Sequence, residues 1–404
     1  FMHDSKFMSL KSSNDRLSIK LFHNKLSSPL IVASGTLIEK YEDIEPYLLA
    51  GAGAVVPRTT RYYMERKTHP IPHLYHYGSK KYPIMINAEW TGEDINYWRP
   101  YLNSMSLNKK TIMSISGRDL KGCVKVCKEL DQYAGWPYLE INVSCAHSNH
   151  VHGMITRNEE HIRTLITELK DANLKTPIAL KLGYSDHIVH LAGVAKEAGV
   201  DAIVAINTFG PVFDFSISEN GQPHPVLGIR SGTGGLSGAP LFNIALTAIA
   251  AIKRQVDIPI IGSGGVITAE NALKMMMAGA DAVQIYSALH VRGINAPTYF
   301  TELNHELIKK MDRYGIVNIT DIIGKALYIL DQNTQVEVKV PTLNESQCIG
   351  CDLCIDICLP RAITTIDSTA NKVGHIIQID KKICIGCGHC VPTCPTTPRA
   401  LSYS

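Results

Sequence analysis

Between residues 29 and 287 short apolar runs alternate with amphipathic stretches. The runs at 29–34, 53–57, 111–115, 138–143, 178–182, 202–206, 259–263 and 281–285 have the length and composition of strands. Segments such as 158–172 and 188–199 lie between them and carry a helical pattern. Eight strand-then-helix units in succession predict an α/β fold, a (β/α)8 TIM barrel. An open, doubly wound sheet is the alternative. It is weakened because no G-x-G-x-x-G follows the first strand.

In a barrel of this kind the chemistry gathers at the C-terminal ends of the strands. Strand seven is followed by Ser263-Gly264-Gly265-Val266 and strand eight by Tyr286-Ser287. Glycines there let backbone N–H groups approach a phosphate closely, so a phosphorylated cofactor is expected. Strand four continues as Glu140-Ile141-Asn142-Val143-Ser144-Cys145-Ala146-His147. A lone cysteine is commonly an inert core residue. At a strand's C-terminal end, beside Asn, Ser and His, Cys145 is instead a candidate proton donor, because a thiol with a pKa of about 8.5 stays protonated near neutrality. Strand five ends in Lys181, inside ALKLG. A lysine in the barrel mouth calls for an anionic partner; a solvated rim lysine is the plainer reading. Cys123 and Cys127, four apart, share one helical face and read as core.

Eight of the 11 cysteines fall near the C-terminus in two runs of the form C-x2-C-x2-C-x3-C. One is Cys348, Cys351, Cys354, Cys358; the other is Cys384, Cys387, Cys390, Cys394. Two-residue gaps let three thiolates of one loop converge on one cubane, and the fourth cysteine reaches the other cluster. Cys348, Cys351, Cys354 and Cys394 are therefore expected on one [4Fe-4S] cluster, and Cys384, Cys387, Cys390 and Cys358 on a second. A disulfide scaffold fits poorly, since nothing in the sequence looks secreted. A zinc ribbon uses separated C-x2-C pairs rather than tandem triplets. Pro395 follows the last cysteine directly, whereas Leu359 intervenes before Pro360 in the first run. Iron–sulfur clusters beside a phosphate site favour a flavin, which exchanges both single electrons and hydride.

Composition adds bounds rather than function. The 404 residues suffice for two or three domains, and 45% apolar content supplies a large core. The net charge is +3, with no basic run interleaved with aromatics, so nucleic acid is not an expected partner. The longest apolar stretch, around 244–252, is too short to cross a bilayer. The opening FMHDSKFMSL shows no hydrophobic signal region, and with reduced thiolates this leads us to expect a cytoplasmic protein.

VASGT (32–36), Asn87-Ala88-Glu89, NVSC (142–145), KLG (181–183), INT (206–208), GGLSG (234–238), SGGV (263–266) and Tyr286-Ser287 occur in the order seen in one family. Together they resemble the dihydroorotate dehydrogenase superfamily of FMN barrels, over nearly the whole barrel. With a C-terminal pair of clusters, the layout is most similar to dihydropyrimidine dehydrogenase, in particular the FMN/iron–sulfur subunit of the bacterial two-subunit enzyme. The N-x-E of Asn87 and Glu89, and His147 two residues past Cys145, favour that branch. The resemblance implies that Cys145 delivers a proton to C5 of uracil or thymine while FMN gives hydride to C6. It places Asn87, Glu89, Asn142, Asn207 and Thr208 on the pyrimidine ring and Lys181 at the flavin N1/O2 side. Ala33, Ser34, Thr59 and Gly238 would cradle the flavin, with Gly264, Gly265, Tyr286 and Ser287 on its phosphate. Arg58 stands near flavin and substrate where the family has a lysine, and a planar guanidinium does not copy an ammonium. Pro57 and Ala146 also depart from the pattern. The histidines of HSNHVHGM (147–154) read as solvated loop residues, with metal binding as the alternative. THPIPHLYHYG (68–78) has the flavour of the dihydroorotate branch.

The expected organisation is an FMN barrel at 1–304, a helical connector at 305–340 and a small α+β bacterial-type two-cluster ferredoxin domain at 341–404. No NAD fingerprint is evident, so electrons are expected from an NAD(P)H/FAD-binding partner subunit or a ferredoxin, in a homo- or hetero-oligomer. Reduction of the 5,6 double bond of uracil or thymine is the first expectation. Dihydroorotate oxidation is the next, and reduction of another unsaturated cyclic or conjugated substrate follows. A non-enzymatic flavin/iron–sulfur electron carrier is the reading from a different class.

Overall fold

The computed structural model describes residues 13–63, 71–88, 92–117, 119–143, 158–229, 232–331 and 339–403. It divides into two units, Phe1–Asp331 and Gln332–Ser404. The division falls at 331/332. The connector expected from 305 is, as far as 331, part of the first unit, with Leu307, Met311, Ile316, Ile319 and Ile322 buried in its core.

Eight parallel strands build the first unit. They are β1 (Leu30–Val32), β2 (Ala54–Val55), β3 (Ser114–Ser116), β4 (Leu139–Asn142), β5 (Ile178–Leu182), β6 (Ala202–Ala205), β7 (Ile260–Ser263) and β8 (Ala282–Ile285). Each pairs in parallel with its sequence neighbour, and β8 returns to pair with β1. Bridges Val55↔Thr111 and Thr60↔Ile115 join the β2 and β3 segments and close the ring. This is the curled TIM-barrel sheet the eight apolar runs predict. The strands are shorter than those runs because pairing, unlike burial, ends where the chain leaves the ring.

A helix follows each strand. The helix Glu159–Asp171 shows why: Ile162, Leu165, Ile166 and Leu169 recur at helical spacing and are buried. The Asn158 side chain accepts a hydrogen bond from the His161 N–H and caps its start. Helix Leu120–Leu130 buries Cys123 and Cys127 with Val126 and Leu130, so both cysteines are core residues, as their spacing implies. Among the described residues no helix is long and apolar enough to cross a membrane.

One layer was not legible beforehand. Segments Leu74–Gly78, Pro83–Asn87, Thr233–Gly238 and Phe209–Phe213 form a four-stranded antiparallel sheet. Two of these strands come from the β2–β3 connection and two from the β6–β7 connection. The sheet ends in Asn87 and Gly238, both at the barrel mouth.

The second unit holds the hairpin Ile363–Asp367/His375–Ile379 and the short pair Thr342–Leu343/Leu401–Ser402. Its small core is Cys354, Ile363, Ile377, Cys390 and Leu401. A unit of this size buries little apolar surface, the setting in which bound metal typically adds to stability.

Candidate active site and cluster sites

A cleft with about 1130 Å3 of atom-free space, open solvent included, lies at the C-terminal ends of the barrel strands. Ala33, Ser34, Arg58, Thr59, Asn87, Asn142, Lys181, Asn207, Thr208, Gly238, Gly264, Gly265, Tyr286 and Ser287 all line it. These are the residues singled out in the sequence, apart from Cys145 and Glu89, which with His147 lie outside the described residues.

A polar relay crosses the mouth. Ser34 Oγ lies 3.3 Å from Thr59 Oγ1, which accepts a hydrogen bond from Asn142 Nδ2 at 3.2 Å. Asn142 Oδ1 in turn accepts from Asn207 Nδ2 at 3.2 Å, and Asn207 Oδ1 accepts from the Thr208 N–H at 2.8 Å. The amides of Asn142, at the end of β4, and Asn207, two residues past β6, are thereby oriented before any ligand arrives, which favours selective recognition of polar groups.

Below the mouth, Lys181 Nζ donates to Glu140 Oε1 at 3.1 Å and to Gln284 Oε1 at 2.9 Å. Gln284 Nε2 donates to Glu140 Oε2 at 2.6 Å and completes a three-membered network. The anionic partner expected for Lys181 is thus Glu140, two residues before Asn142 on β4. The strand's two-residue period turns both side chains the same way. Arg58 is buried; its guanidinium bonds Glu39. Its stem packs on Gly92, where an added Cβ would come within 2.8 Å of Arg58 Cδ.

At the far end Gly264 and Gly265 have φ of +116° and +69°, in the left-handed region. A Cβ on Gly265 would stand 2.4 Å from the Phe242 backbone nitrogen, so only glycine leaves this cradle open. Tyr286 Oη accepts from the Thr36 N–H at 3.0 Å and lies 2.7 Å from His290 Nε2. Burial first, then His73 and His76, push the His290 pKa down to about 4. Its folded-state pKa is below the unfolded value, so the unfolded chain binds the extra proton. The stability this group contributes is present above about pH 6.5 and is lost as pH falls toward 4. In FMN-free protein the loss should total about 3 kcal/mol over that window, read as a falling urea midpoint. His290→Gln should flatten that part of the profile.

Ser237 and Ser263, inside the GGLSG and SGGV motifs, also line the cleft, as do Arg61, Ser116 and Gln284, to which the sequence pattern assigned no role. Gln284 carried a usable signal, a polar residue in the middle of an apolar strand. Arg61 carried none, because it stands in a connection whose course local patterning does not reveal.

In the second unit two small cavities gather the cysteines. One is lined by Cys348, Cys351, Cys354 and Cys394, the other by Cys358, Cys384, Cys387 and Cys390. Among the described residues no three His, Cys, Asp or Glu side chains converge on one metal ion. Burial, with Cys351, Cys390 and Cys348 nearby, pushes the Cys354 thiol up to about 12, so iron binding must displace protons. Burial also pushes up Cys394, but bonds from Thr396, Leu401 and Ala400 outweigh it and hold this thiol below its ordinary value.

The model for the family described as dihydroorotate dehydrogenase matches residues 16–311. The chain belongs to the dihydroorotate dehydrogenase family. A second model, the 4Fe-4S dicluster domain, matches residues 347–397 of this family member. It is 32% identical over 319 residues to dihydroorotate dehydrogenase A (fumarate) of Limosilactobacillus reuteri, spanning 76% of the chain and 97% of that relative. It is 29% identical over 314 residues to the dihydroorotate dehydrogenase B (NAD(+)) catalytic subunit of Thermococcus kodakarensis, spanning 77% and 98%. Its fold is similar to that of the Eimeria tenella enzyme solved in complex with ferulenol, with a TM-score of 0.62 at 20% identity over 78% of this chain and 90% of that one. The protein is thus a flavin- and iron–sulfur-dependent oxidoreductase, with FMN and two [4Fe-4S] clusters as cofactors. The glycine cradle and Lys181 in the cleft suit FMN, a phosphate at one end and a ring that gains negative charge on reduction at the other.

Proposed function

We propose that the protein interconverts dihydroorotate and orotate and exchanges the electrons with a separate redox partner through its two clusters. The family match and the relatives favour this substrate pair over the uracil or thymine first expected. The observation that carries it is electrostatic. Arg58, Arg61 and Lys181 line the cleft. Arg58 is bonded to Glu39 and Lys181 to Glu140, but neither acid lines it, and among its described lining residues there is no carboxylate. An anionic ring bearing its own carboxylate suits such a site, because guanidinium groups match a carboxylate in both charge and geometry.

FMN, when bound, supplies a two-electron donor or acceptor for the C–H bond at C6 of the ring. The chain's own part is the rest. Gly264, Gly265, Tyr286 and Ser287 hold the phosphate, and Ala33, Ser34, Thr59 and Gly238 border the flavin. Asn87, Glu89, Asn142, Asn207 and Thr208 hydrogen-bond the amides and carbonyls of the substrate. Cys145 accepts the C5 proton when dihydroorotate is oxidised and returns it when orotate is reduced. Lys181 stabilises negative charge at the flavin edge. The electron partner is an NAD(P)H/FAD-binding subunit or a ferredoxin.

Reduction of uracil or thymine is the second reading. It is favoured by the dicluster segment carried in the same chain and by the N-x-E of Asn87 and Glu89. Anaerobic incubation with reduced viologen and, separately, orotate, uracil and thymine tests both. Consumption of orotate is expected. Consumption of uracil or thymine with orotate untouched would overturn the first reading and establish the second.

A further inference from the structure

We infer that Glu140 is a positioning residue that sets the reduction potential of the bound flavin, by holding and partly neutralising Lys181, the one ammonium among the described residues that line the cleft. The inference needs only that FMN occupies the cleft and is independent of which pyrimidine is the substrate.

Lys181 and Gln284 line the cleft, but Glu140 does not; its side chain is wholly buried behind them. The carboxylate therefore reaches a ligand only through its two partners. Both of its oxygens are used, Oε1 by Lys181 Nζ at 3.1 Å and Oε2 by Gln284 Nε2 at 2.6 Å. Gln284 Oε1 also accepts from Lys181 Nζ, at 2.9 Å. The ammonium is thus held from two directions, by strands β4 and β8 on the barrel wall, and its position is not left to a flexible side chain.

A surface pair would be screened by water, but this one is buried at both ends, 5% and 0% exposed. Charges there act at long range and at low local dielectric. Reduction of a flavin adds electron density to the ring, and a cation facing that ring favours the reduced form. An acid behind the cation opposes this effect without removing the cation. The pair therefore acts as a graded field, whose strength depends on how fully Glu140 offsets Lys181. A purely structural pair has no reason to place its cation, and only its cation, on the wall of the cofactor cleft.

The test is a series of FMN-loaded holoenzymes whose flavin midpoint potential is measured by spectroelectrochemistry with the clusters intact. Glu140→Gln removes the opposing charge and keeps the side chain's size. Its potential should rise so that the two-electron equilibrium favours the reduced flavin at least about tenfold more, which is roughly 30 mV. Glu140→Asp withdraws the carboxylate from Lys181 by one methylene and should give a smaller rise. Lys181→Met should lower the potential below that of the parent. A potential in Glu140→Gln equal to or below the parent's would overturn the inference. If that variant fails to retain FMN, the decision falls on Glu140→Asp, and no rise there would overturn it equally.

Discussion

Cys145→Ala should lower turnover by about 10²–10⁴-fold while flavin content and the rate of flavin reduction by an external donor stay at the parent level. A positioned general acid or base contributes a factor of this size, and the substitution removes nothing else of chemical use. The sequence places Cys145 three positions past Asn142, whose amide is already fixed between Thr59 and Asn207 in the cleft wall. Cys145→Ser separates the two roles a thiol has, since a hydroxyl keeps the volume but loses acidity. It should recover little of the loss near neutrality and more at high pH in the direction that needs a base. The assay is steady-state turnover with a viologen couple beside stopped-flow flavin reduction. An alanine variant with undiminished turnover would remove Cys145 from the mechanism.

The second large effect is expected at the two outlying cysteines. Cys358→Ala or Cys394→Ala should cut iron per chain by half and lower turnover with an external donor by about tenfold or more, because a four-iron cluster short of a thiolate loses metal. The geometry makes the two variants distinguishable. Cys394 lines the cavity of the first triplet, and Cys358 that of the second. Each variant should therefore abolish a different one of the two cluster signals in the spectrum of the reduced protein. If either variant emptied both sites, the domain would be folding around the clusters as one unit. If one signal vanished in both, the crossed assignment of the fourth ligands would be wrong. Neither change should alter FMN content, since no cysteine of the described cleft lining is involved.

The barrel mouth and the clusters are also linked by what electron flow requires. A flavin exchanges two electrons with a carbon centre and one at a time with an iron–sulfur cluster. Its potential must therefore suit both. That gives a buried network such as Glu140, Gln284 and Lys181 a task beyond folding. Removing one member of a buried ion pair is commonly expensive, about 3–5 kcal/mol, because the other charge is stranded. Glu140→Gln also leaves the Lys181 charge without its counter-ion but keeps an oxygen for it to bond, and Glu140→Asp keeps the charge, so both are preferred to alanine.

The substrate assignment illustrates how far local motifs carry. Asn87-Ala88-Glu89 and His147 pointed toward uracil or thymine, whereas the family match and the cation-rich cleft favour dihydroorotate. A three-residue motif reports the amides and carbonyls common to all these rings. What separates orotate from uracil is a carboxylate, and its recognition depends on which cations share one cleft. Arg58 was read in the sequence as a departure from the family. In the structure it is a buried cation bonded to Glu39, with Arg61 on the same wall.

By itself the sequence determined the eight barrel strands, the helices between them, the residues at the strand ends and both cysteine sets. All of these are local quantities. Burial on both faces makes a strand uniformly apolar, a helix repeats every three or four residues, and cubane ligands need short fixed gaps. Only the tertiary structure decided the antiparallel sheet over the mouth, the Glu39 partner of Arg58 and the network around Lys181. The network's hydrogen bonds span 41, 103 and 144 positions of the chain. The sheet likewise pairs Pro83–Asn87 with Thr233–Gly238. No local period records such a pairing, because it comes into being only when the barrel closes and brings distant strand ends to one rim.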